Sequence, residues 1–123
     1  MFNFRRLWKS FGYAVRGLAY AWHHEQNFRV QVVVAWAVCI AALLFRLSPA
    51  RDTILVMLVT LILVLELLNT FFEKVIDLIS PRLNHYAAVL KDILAAAVLV
   101  ASCGAVIAGI LIFWPALDFI WHL

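Results

Sequence analysis

Three long stretches of the chain carry almost no charged side chains. They run from Val30 to Phe45, from Thr53 to Phe72 and from Ile93 to Leu117, and the only acid within them is Glu66. A charge at the centre of a bilayer costs about 2.5 to 3.5 kcal/mol, so uncharged runs of this length indicate membrane spans. We therefore predict three spanning helices, over about residues 29–47, 52–73 and 92–115.

The segment ahead of the first span has apolar positions at helical spacing. They recur at intervals of three and four residues: Phe4, Leu7, Trp8, Phe11, Val15, Leu18, Ala19 and Trp22. This spacing places them on one face of a helix, with basic residues on the other. Tryptophans on the apolar face are typical of a membrane interface, so we predict an interfacial amphipathic helix over about residues 4–27.

The two connections between the spans differ in length and charge. The first, from Arg46 to Asp52, is a tight hairpin in which Ser48 and Pro49 separate two helices. The second, over residues 73–92, is longer and polar. Lys and Arg residues number five before the first span, two in the hairpin and three in the longer connection. The positive-inside rule therefore predicts that the amino terminus and the longer connection are cytoplasmic.

The composition agrees with a small integral membrane protein. Of 123 residues, 67% are hydrophobic and 14% are charged, and the mean hydropathy is +1.00. Three spans of about 20 residues leave no room for a separate soluble catalytic domain in a chain of this length. Cys39 and Cys103 lie in apolar runs, and there is no Walker A sequence or glycine-rich phosphate loop. A soluble kinase fold is therefore excluded.

One face of the second predicted span carries a row of acids and an amide. Glu66, Asn69, Glu73 and Asp77 are separated by three, four and four residues. At about 100° per residue, they lie within about 80° of one another around the helix. Stacked carboxylates desolvate poorly unless cations or protons compensate them. A divalent ion such as Mg²⁺ suits this row, because it takes oxygen ligands and keeps positions for water and phosphate.

Further polar residues fall at the same depth on the predicted cytoplasmic side. Glu25 lies where the interfacial helix meets the first span, and Lys91 and Asp92 open the third span. Cations that neutralise phosphate and a base that accepts the proton of an alcohol are what phosphoryl transfer requires. The residues alone leave two alternatives open: an oligomer that conducts protons or cations with Glu66 as carrier, and a structural membrane protein without chemistry.

These motifs resemble the prokaryotic diacylglycerol kinase and undecaprenol kinase family. The likeness is carried by four segments in order along the chain: Ser10–Gly17, Glu25–Arg29, Glu66–Asp77 and Lys91–Ala97. The resemblance implies an all-α, multi-pass protein of the bacterial inner membrane, and a homotrimer of three-span subunits whose active sites are shared between neighbours. It also implies ATP as phosphoryl donor, Mg²⁺ as cofactor and a lipid alcohol from the bilayer as acceptor.

The resemblance implies roles for particular residues of this chain. Glu66 matches the catalytic base, which accepts the proton of the lipid hydroxyl group. Glu25 and Glu73 match the carboxylates that hold the ATP-bound Mg²⁺. The positions that match nucleotide-binding residues, or polar residues lining that site, are Arg6, Tyr13, Asn69, Asp77, Lys91 and Asp92.

Undecaprenol is our first choice of acceptor, and diacylglycerol is the second. Three short runs resemble the undecaprenol kinase branch of the family: Asn69-Thr70, Ile79-Ser80-Pro81 and Phe113-Trp114-Pro115. One departure concerns Phe71 and Phe72, where the family usually has Ala and Ile. Their side chains are about 140° and 120° from Glu66 around the helix, so the row of acids is kept. We expect the two rings to affect helix packing or the shape of the lipid pocket.

Overall fold

Four helices make up nearly all of the described part of the chain. The computed structural model describes residues 3–80 and 85–121, with side chains to residue 116, so Pro81 lies outside the described residues. The helices are α1 (Phe4–His24), α2 (Gln26–Phe45), α3 (Pro49–Ile79) and α4 (His85–Trp121). Within these ranges there is no β-strand. The predicted all-α class is confirmed.

Three of the helices are long and apolar enough to cross a membrane. They are Gln26–Phe45, Pro49–Ile79 and His85–Ala116, with mean hydropathies of 2.2, 2.5 and 2.6. A helix rises about 1.5 Å per residue and the hydrocarbon core is about 30 Å thick, so α2 has just the length to span it. Helix α3 continues beyond residue 73, and α4 begins before residue 92. The prediction of three apolar helices is confirmed. Helices α3 and α4 continue past the predicted limits of their spans.

The hairpin between α2 and α3 follows from residues that stop one helix and start another. After Phe45, Arg46 adopts the left-handed conformation (φ 47°, ψ 55°), and its N–H donates to the Leu43 carbonyl at 3.3 Å. Ser48 is the N-cap of α3, and Pro49 takes a position in its first turn. A proline there costs no helical hydrogen bond, because its missing N–H would have no partner. The short connection makes α2 and α3 antiparallel neighbours.

The break between α1 and α2 falls at Glu25. This residue is extended (φ −110°, ψ 112°), and its N–H donates to the Ala21 carbonyl at 2.9 Å. Arg29 reaches back across the break and donates to two carbonyl oxygens in the last turns of α1, at 2.9 and 3.3 Å. These carbonyls would otherwise lack a helical partner. Ala21 and Phe28 are buried on either side, so the junction gives Glu25 a defined position.

Helix α3 is central in the bundle. It packs against both α2 and α4, while α1 contacts α2. Among the described side chains, the buried apolar residues are few: Ala21, Phe28, Leu55, Ala87 and Ile112. Most other apolar side chains of the long helices face outward, as expected for helices that meet hydrocarbon or other subunits. The predicted trimer and the interfacial position of α1 are not tested by a single chain, and both stay predictions.

Candidate active site

Glu66, near the middle of α3, is the most buried charged side chain among the described residues, with 2% of its surface exposed. Gln31 of α2 donates a hydrogen bond from Nε2 to Oε2 of Glu66, at 3.0 Å. Asn27 lies one turn earlier on the same helix. A carboxyl group among apolar side chains needs such donors, because an unpaired charge there is costly. A hydrogen bond from α2 therefore helps to hold Glu66 in place.

Sequence reasoning missed the two amides that accompany Glu66. Asn27 and Gln31 are four residues apart, so they share one face of α2, and this spacing is the signal that marks them. The spacing does not show which helix this face of α2 contacts, because the packing of the bundle decides that. Oε1 of Gln31 is buried and accepts no hydrogen bond from any described residue. Gln31 therefore has a free acceptor close to the Glu66 carboxyl group.

An apolar cavity of about 610 Å³ lies between α2, α3 and α4, beside this pair. Gln31 is one of its few polar lining residues, and side chains from all three helices complete the wall: Val34, Val38, Leu58, Ile62, Ala105 and Gly109 among them. The volume is in the range of ligand-binding sites, about 300 to 1,000 Å³. An apolar lining with one amide at Glu66 suits a molecule that is mostly hydrocarbon and carries a single polar group.

A second polar group contains Glu73, further along α3, and Glu25, at the α1–α2 junction. Nδ2 of Asn69 donates to Oε1 of Glu73 at 3.0 Å, one helical turn apart. Glu25, at the α1–α2 junction, forms an ion pair with Lys74, with 3.6 Å between Nζ and Oε1. Electrostatic repulsion from both Glu25 and Glu73 acts on Glu66. Glu25 and Glu73 therefore lie within electrostatic range of Glu66, the third acid for which sequence analysis predicts a role.

The donor atoms of this group are oxygens. Besides the carboxylates of Glu25 and Glu73, Oδ1 of Asn69 is buried and accepts no hydrogen bond within the described residues. The same part of the chain holds no group of three His, Cys, Asp or Glu side chains able to bind a metal ion. Mg²⁺ commonly uses one or two carboxylates and completes its shell with water and phosphate oxygens. The donor set fits a divalent ion such as Mg²⁺ whose remaining ligands are water or phosphate oxygens.

A third polar group joins α3 to α4. Nζ of Lys91 lies 2.5 Å from Oδ1 of Asp77, and the two side chains are 33% and 55% exposed. Asp77 and Lys91 line a cavity of about 210 Å³ together with Ser80 and Asp92. An ammonium group beside an open cavity is suited to bind phosphate as a point charge. Three residues with predicted nucleotide roles, Asp77, Lys91 and Asp92, are therefore neighbours.

The two predicted nucleotide-binding residues of α1 lie apart from these groups. Tyr13 is 64% exposed, and the guanidinium of Arg16 lies over its ring, 4.7 Å from the centroid. Arg6 is exposed in the first turns of α1. Within the part of the chain that the structure describes, neither side chain has a hydrogen bond or ion pair with the acids. A single chain does not join them to the site, and their role stays a prediction.

Phe71 and Phe72 lie on an outer face of α3. Their side chains are 58% and 44% exposed, and their rings meet edge to face with 5.4 Å between centroids. Neither residue lines the apolar cavity beside Glu66. Within the described residues, the two rings therefore do not shape a pocket of a single chain. They can alter contacts with lipid or with another subunit.

Fold and site together define a class: a small multi-pass helical protein with a buried carboxyl group beside an apolar cavity, and with acids and lysines at one end of its long helices. Residues 12–113 match the family model for prokaryotic diacylglycerol kinase. The chain belongs to this family, and its enzyme class is that of the lipid kinases. The resemblance seen in the motifs is confirmed.

Similar relatives carry the names of two lipid kinases. The chain is 38% identical over 109 residues to a diacylglycerol kinase of Synechocystis sp., covering 88% of this chain and 62% of the relative. It is 38% identical over 112 residues to an undecaprenol kinase of Bacillus subtilis, covering 91% of each. It is 32% identical over 112 residues to a diacylglycerol kinase of Escherichia coli, covering 91% of this chain and 92% of the relative. The chain thus spans less than two thirds of the Synechocystis relative but most of the other two.

Proposed function

We propose that this protein transfers the γ-phosphoryl group of ATP to the hydroxyl group of a membrane lipid alcohol. The observation that carries the proposal is the hydrogen bond between buried Glu66 and Gln31, which lines an apolar cavity between three apolar helices. A lipid chain in that cavity would bring its hydroxyl group towards Gln31, which lines the cavity and is hydrogen-bonded to the Glu66 carboxylate. Membership of a lipid kinase family supports the same acceptor class.

In the proposed reaction, Glu66 is the general base. Its carboxylate accepts the hydroxyl proton while the hydroxyl oxygen forms a bond to the γ-phosphorus. The bond from that phosphorus to the bridging oxygen breaks, and ADP leaves with the electron pair. Gln31 supports this role because its hydrogen bond orients the carboxylate without supplying a charge. Burial of the pair favours transfer to the lipid over hydrolysis, because it keeps water from the γ-phosphorus.

The cofactor of the proposed reaction is Mg²⁺, which would supply neutralisation of phosphate charge. Glu25 and Glu73 are its proposed ligands, and the free Oδ1 of Asn69 offers a further oxygen. Lys91 meets a phosphate by exchanging its present partner Asp77 for the nucleotide. The remaining residues of the proposed nucleotide site are Arg6, Tyr13, Asn69, Asp77 and Asp92.

Undecaprenol is the proposed acceptor, with diacylglycerol second. Phe113 and Trp114, which belong to one of the runs that resemble the undecaprenol kinase branch, line the apolar cavity. The undecaprenol kinase of Bacillus subtilis is as similar in identity as the diacylglycerol kinase of Synechocystis, and it is matched over more of its length. The acceptor is therefore the part of the proposal that most needs an assay.

We further propose a homotrimer in the bacterial inner membrane, with the amino terminus in the cytoplasm and α1 at the interface. Large apolar side chains of α1 are strongly exposed, among them Phe4 at 80% and Trp8 at 81%. Such a surface is unfavourable in water and suits the boundary of the acyl chains. The outward-facing apolar surfaces of the long helices support contact with lipid and with other subunits.

The test is transfer of labelled phosphate from ATP to undecaprenol and to diacylglycerol, side by side in mixed micelles containing Mg²⁺. Label on undecaprenol alone supports the proposal as stated, and label on diacylglycerol alone replaces the acceptor. Loss of transfer on chelation of divalent ions supports the cofactor. Folded protein that labels neither lipid overturns the proposal, and proton flux in ATP-free liposomes would then favour the ion carrier.

A further inference from the structure

Lys74 has no part in the proposed reaction, yet it pairs with a residue that does. Its Nζ lies 3.6 Å from Oε1 of Glu25, so the pair links α3 to the α1–α2 junction. Lys74 also directly follows Glu73 in the chain. The fold therefore places one cation beside Glu25, one of the two proposed metal ligands.

We propose that Lys74 is a positioning residue that acts through Glu25 and competes with the divalent metal ion for it. In the metal-free protein its ammonium group holds the Glu25 carboxylate, and a bound metal ion displaces it. This inference rests on the proposed function, because it takes Glu25 as a metal ligand. It adds that the affinity for metal is set by a residue that is not itself a ligand.

The charges of the site favour a removable cation at this position. Among the described residues, Lys74 is the cation that pairs with Glu25, so without a metal ion it compensates the charge of this carboxylate. The side chain of Lys74 is 48% exposed, and that of Glu25 is 21% exposed. Ion pairs this open to water are weak, and lysine carries its charge on a flexible stem. The pair can therefore hold Glu25 in place and still give way to a doubly charged ion.

The two lysines at this end of the long helices have different partners. Lys91 pairs with Asp77 and lines the small cavity proposed for the nucleotide, whereas Lys74 pairs with Glu25 and does not line that cavity. Loss of the Lys74 charge should therefore act mainly on the metal ion. It frees the Glu25 carboxylate, and this tightens metal binding.

The experiment titrates the full-length protein in detergent micelles with Mn²⁺ alone, and follows free Mn²⁺ by electron paramagnetic resonance. Lys74→Gln should bind Mn²⁺ about two- to fivefold more tightly than wild type, the range expected for loss of an exposed ion pair. Lys74→Arg, which keeps the charge, should stay close to wild type. Lys9→Gln, the same change at an exposed lysine of α1, should also leave the affinity unchanged.

The Glu25→Gln background separates a role through Glu25 from a general charge effect. There the added Lys74→Gln change should give no gain in Mn²⁺ binding, because the carboxylate that lysine occupied is gone. An equal gain in both backgrounds, or no gain in the Lys74→Gln single variant, overturns the inference. Wild-type protein that takes up no Mn²⁺ overturns it as well, because no metal would then be present to compete.

Phosphate transfer with Mg²⁺, measured on the same preparations, distinguishes this inference from the proposed function. Wild-type transfer together with an unchanged Mn²⁺ affinity of Lys74→Gln sinks the role of Lys74 alone. Absence of transfer from folded wild-type protein sinks the proposed function instead, whatever the Mn²⁺ titrations give.

Discussion

The two ends of the acidic row on α3 are built differently. Glu66 is 2% exposed and takes a hydrogen bond of 3.0 Å from the neutral amide of Gln31. Asp77 has a side chain that is 55% exposed, and its partner at 2.5 Å is the ammonium group of Lys91. One acid is therefore buried with an uncharged donor, and the other is open to water with a cation.

The difference shows how one helix face can serve two tasks. A cation beside a buried carboxylate would hold the negative charge strongly and make it a poorer base, whereas an amide orients the group and leaves it able to accept a proton. At the exposed end water screens the ion pair, so Lys91 can exchange a carboxylate for a phosphate at small cost. The buried end suits proton transfer, and the open end suits nucleotide binding.

The largest effect should follow from Glu66→Gln. Removal of a general base should lower the rate of phosphate transfer by at least about 100-fold, because a positioned general base typically contributes about 10²- to 10⁴-fold. Initial rates in mixed micelles measure this. Asp52→Asn, which removes a carboxylate at the opposite end of α3, should keep the wild-type rate. A folded Glu66→Gln protein with full activity would refute the assignment of the base to the buried end.

Lys91→Gln should mainly weaken nucleotide binding. A hydrogen bond to a charged group is worth about 1.5 to 3 kcal/mol, so the KM for ATP should rise by about tenfold or more while kcat changes less. Steady-state kinetics with varied ATP separate the two parameters. Arg51→Gln, in the hairpin at the other end of α3, is the control for loss of one positive charge. A fall in kcat at unchanged KM would assign Lys91 to the chemical step and break the comparison.

Gln31→Leu should lower kcat and leave the KM for ATP unchanged, the opposite of Lys91→Gln, and its effect should be smaller. Loss of one hydrogen bond of about 0.5 to 1.5 kcal/mol should lower kcat about three- to tenfold, since Glu66 is less well oriented, while the KM for ATP stays the same. Gln26→Leu makes the same change at an exposed amide of α2 and should have no such effect. Unchanged kcat in Gln31→Leu would mean that the amide does not support the base.

Phe71→Ala should have the smallest effect. The ring is 58% exposed and lines no cavity next to Glu66, so loss of it should change activity in micelles by no more than about twofold. The family usually has alanine at this position, which makes the substitution a mild one. A loss greater than tenfold would show that this outer face of α3 contacts the acceptor lipid or a neighbouring subunit.

Much of the fold follows from the order of apolar and polar residues. Uncharged runs must form helices in hydrocarbon, because every backbone group there needs a partner within the segment. The helix limits were harder to predict, because charges mark where the membrane ends and not where a helix ends. Helix α3 therefore reaches Ile79, and α4 starts at His85. Ser48 and Pro49 marked the hairpin because their effect is local.

The site was predictable to the extent that its contacts are local. Asn69 and Glu73 are four residues apart on one helix, and they form the hydrogen bond that this spacing allows. The hydrogen bond between Gln31 and Glu66 joins residues 35 positions apart, so no local sequence pattern predicts it. Arg6 and Tyr13 were assigned by resemblance, and no contact within the described part of one chain connects them to the acids.

The sequence by itself determined three apolar helices, the side of α3 that carries its acids and the family to which the chain belongs. These three features depend on the order of residues along one helix or on sequence motifs. They can be predicted without knowing how the helices pack. Only the tertiary structure decided that Gln31 is the partner of Glu66, that Lys74 is the partner of Glu25 and that an apolar cavity opens beside the buried pair. Those contacts join different helices, and the packing of side chains between helices selects them.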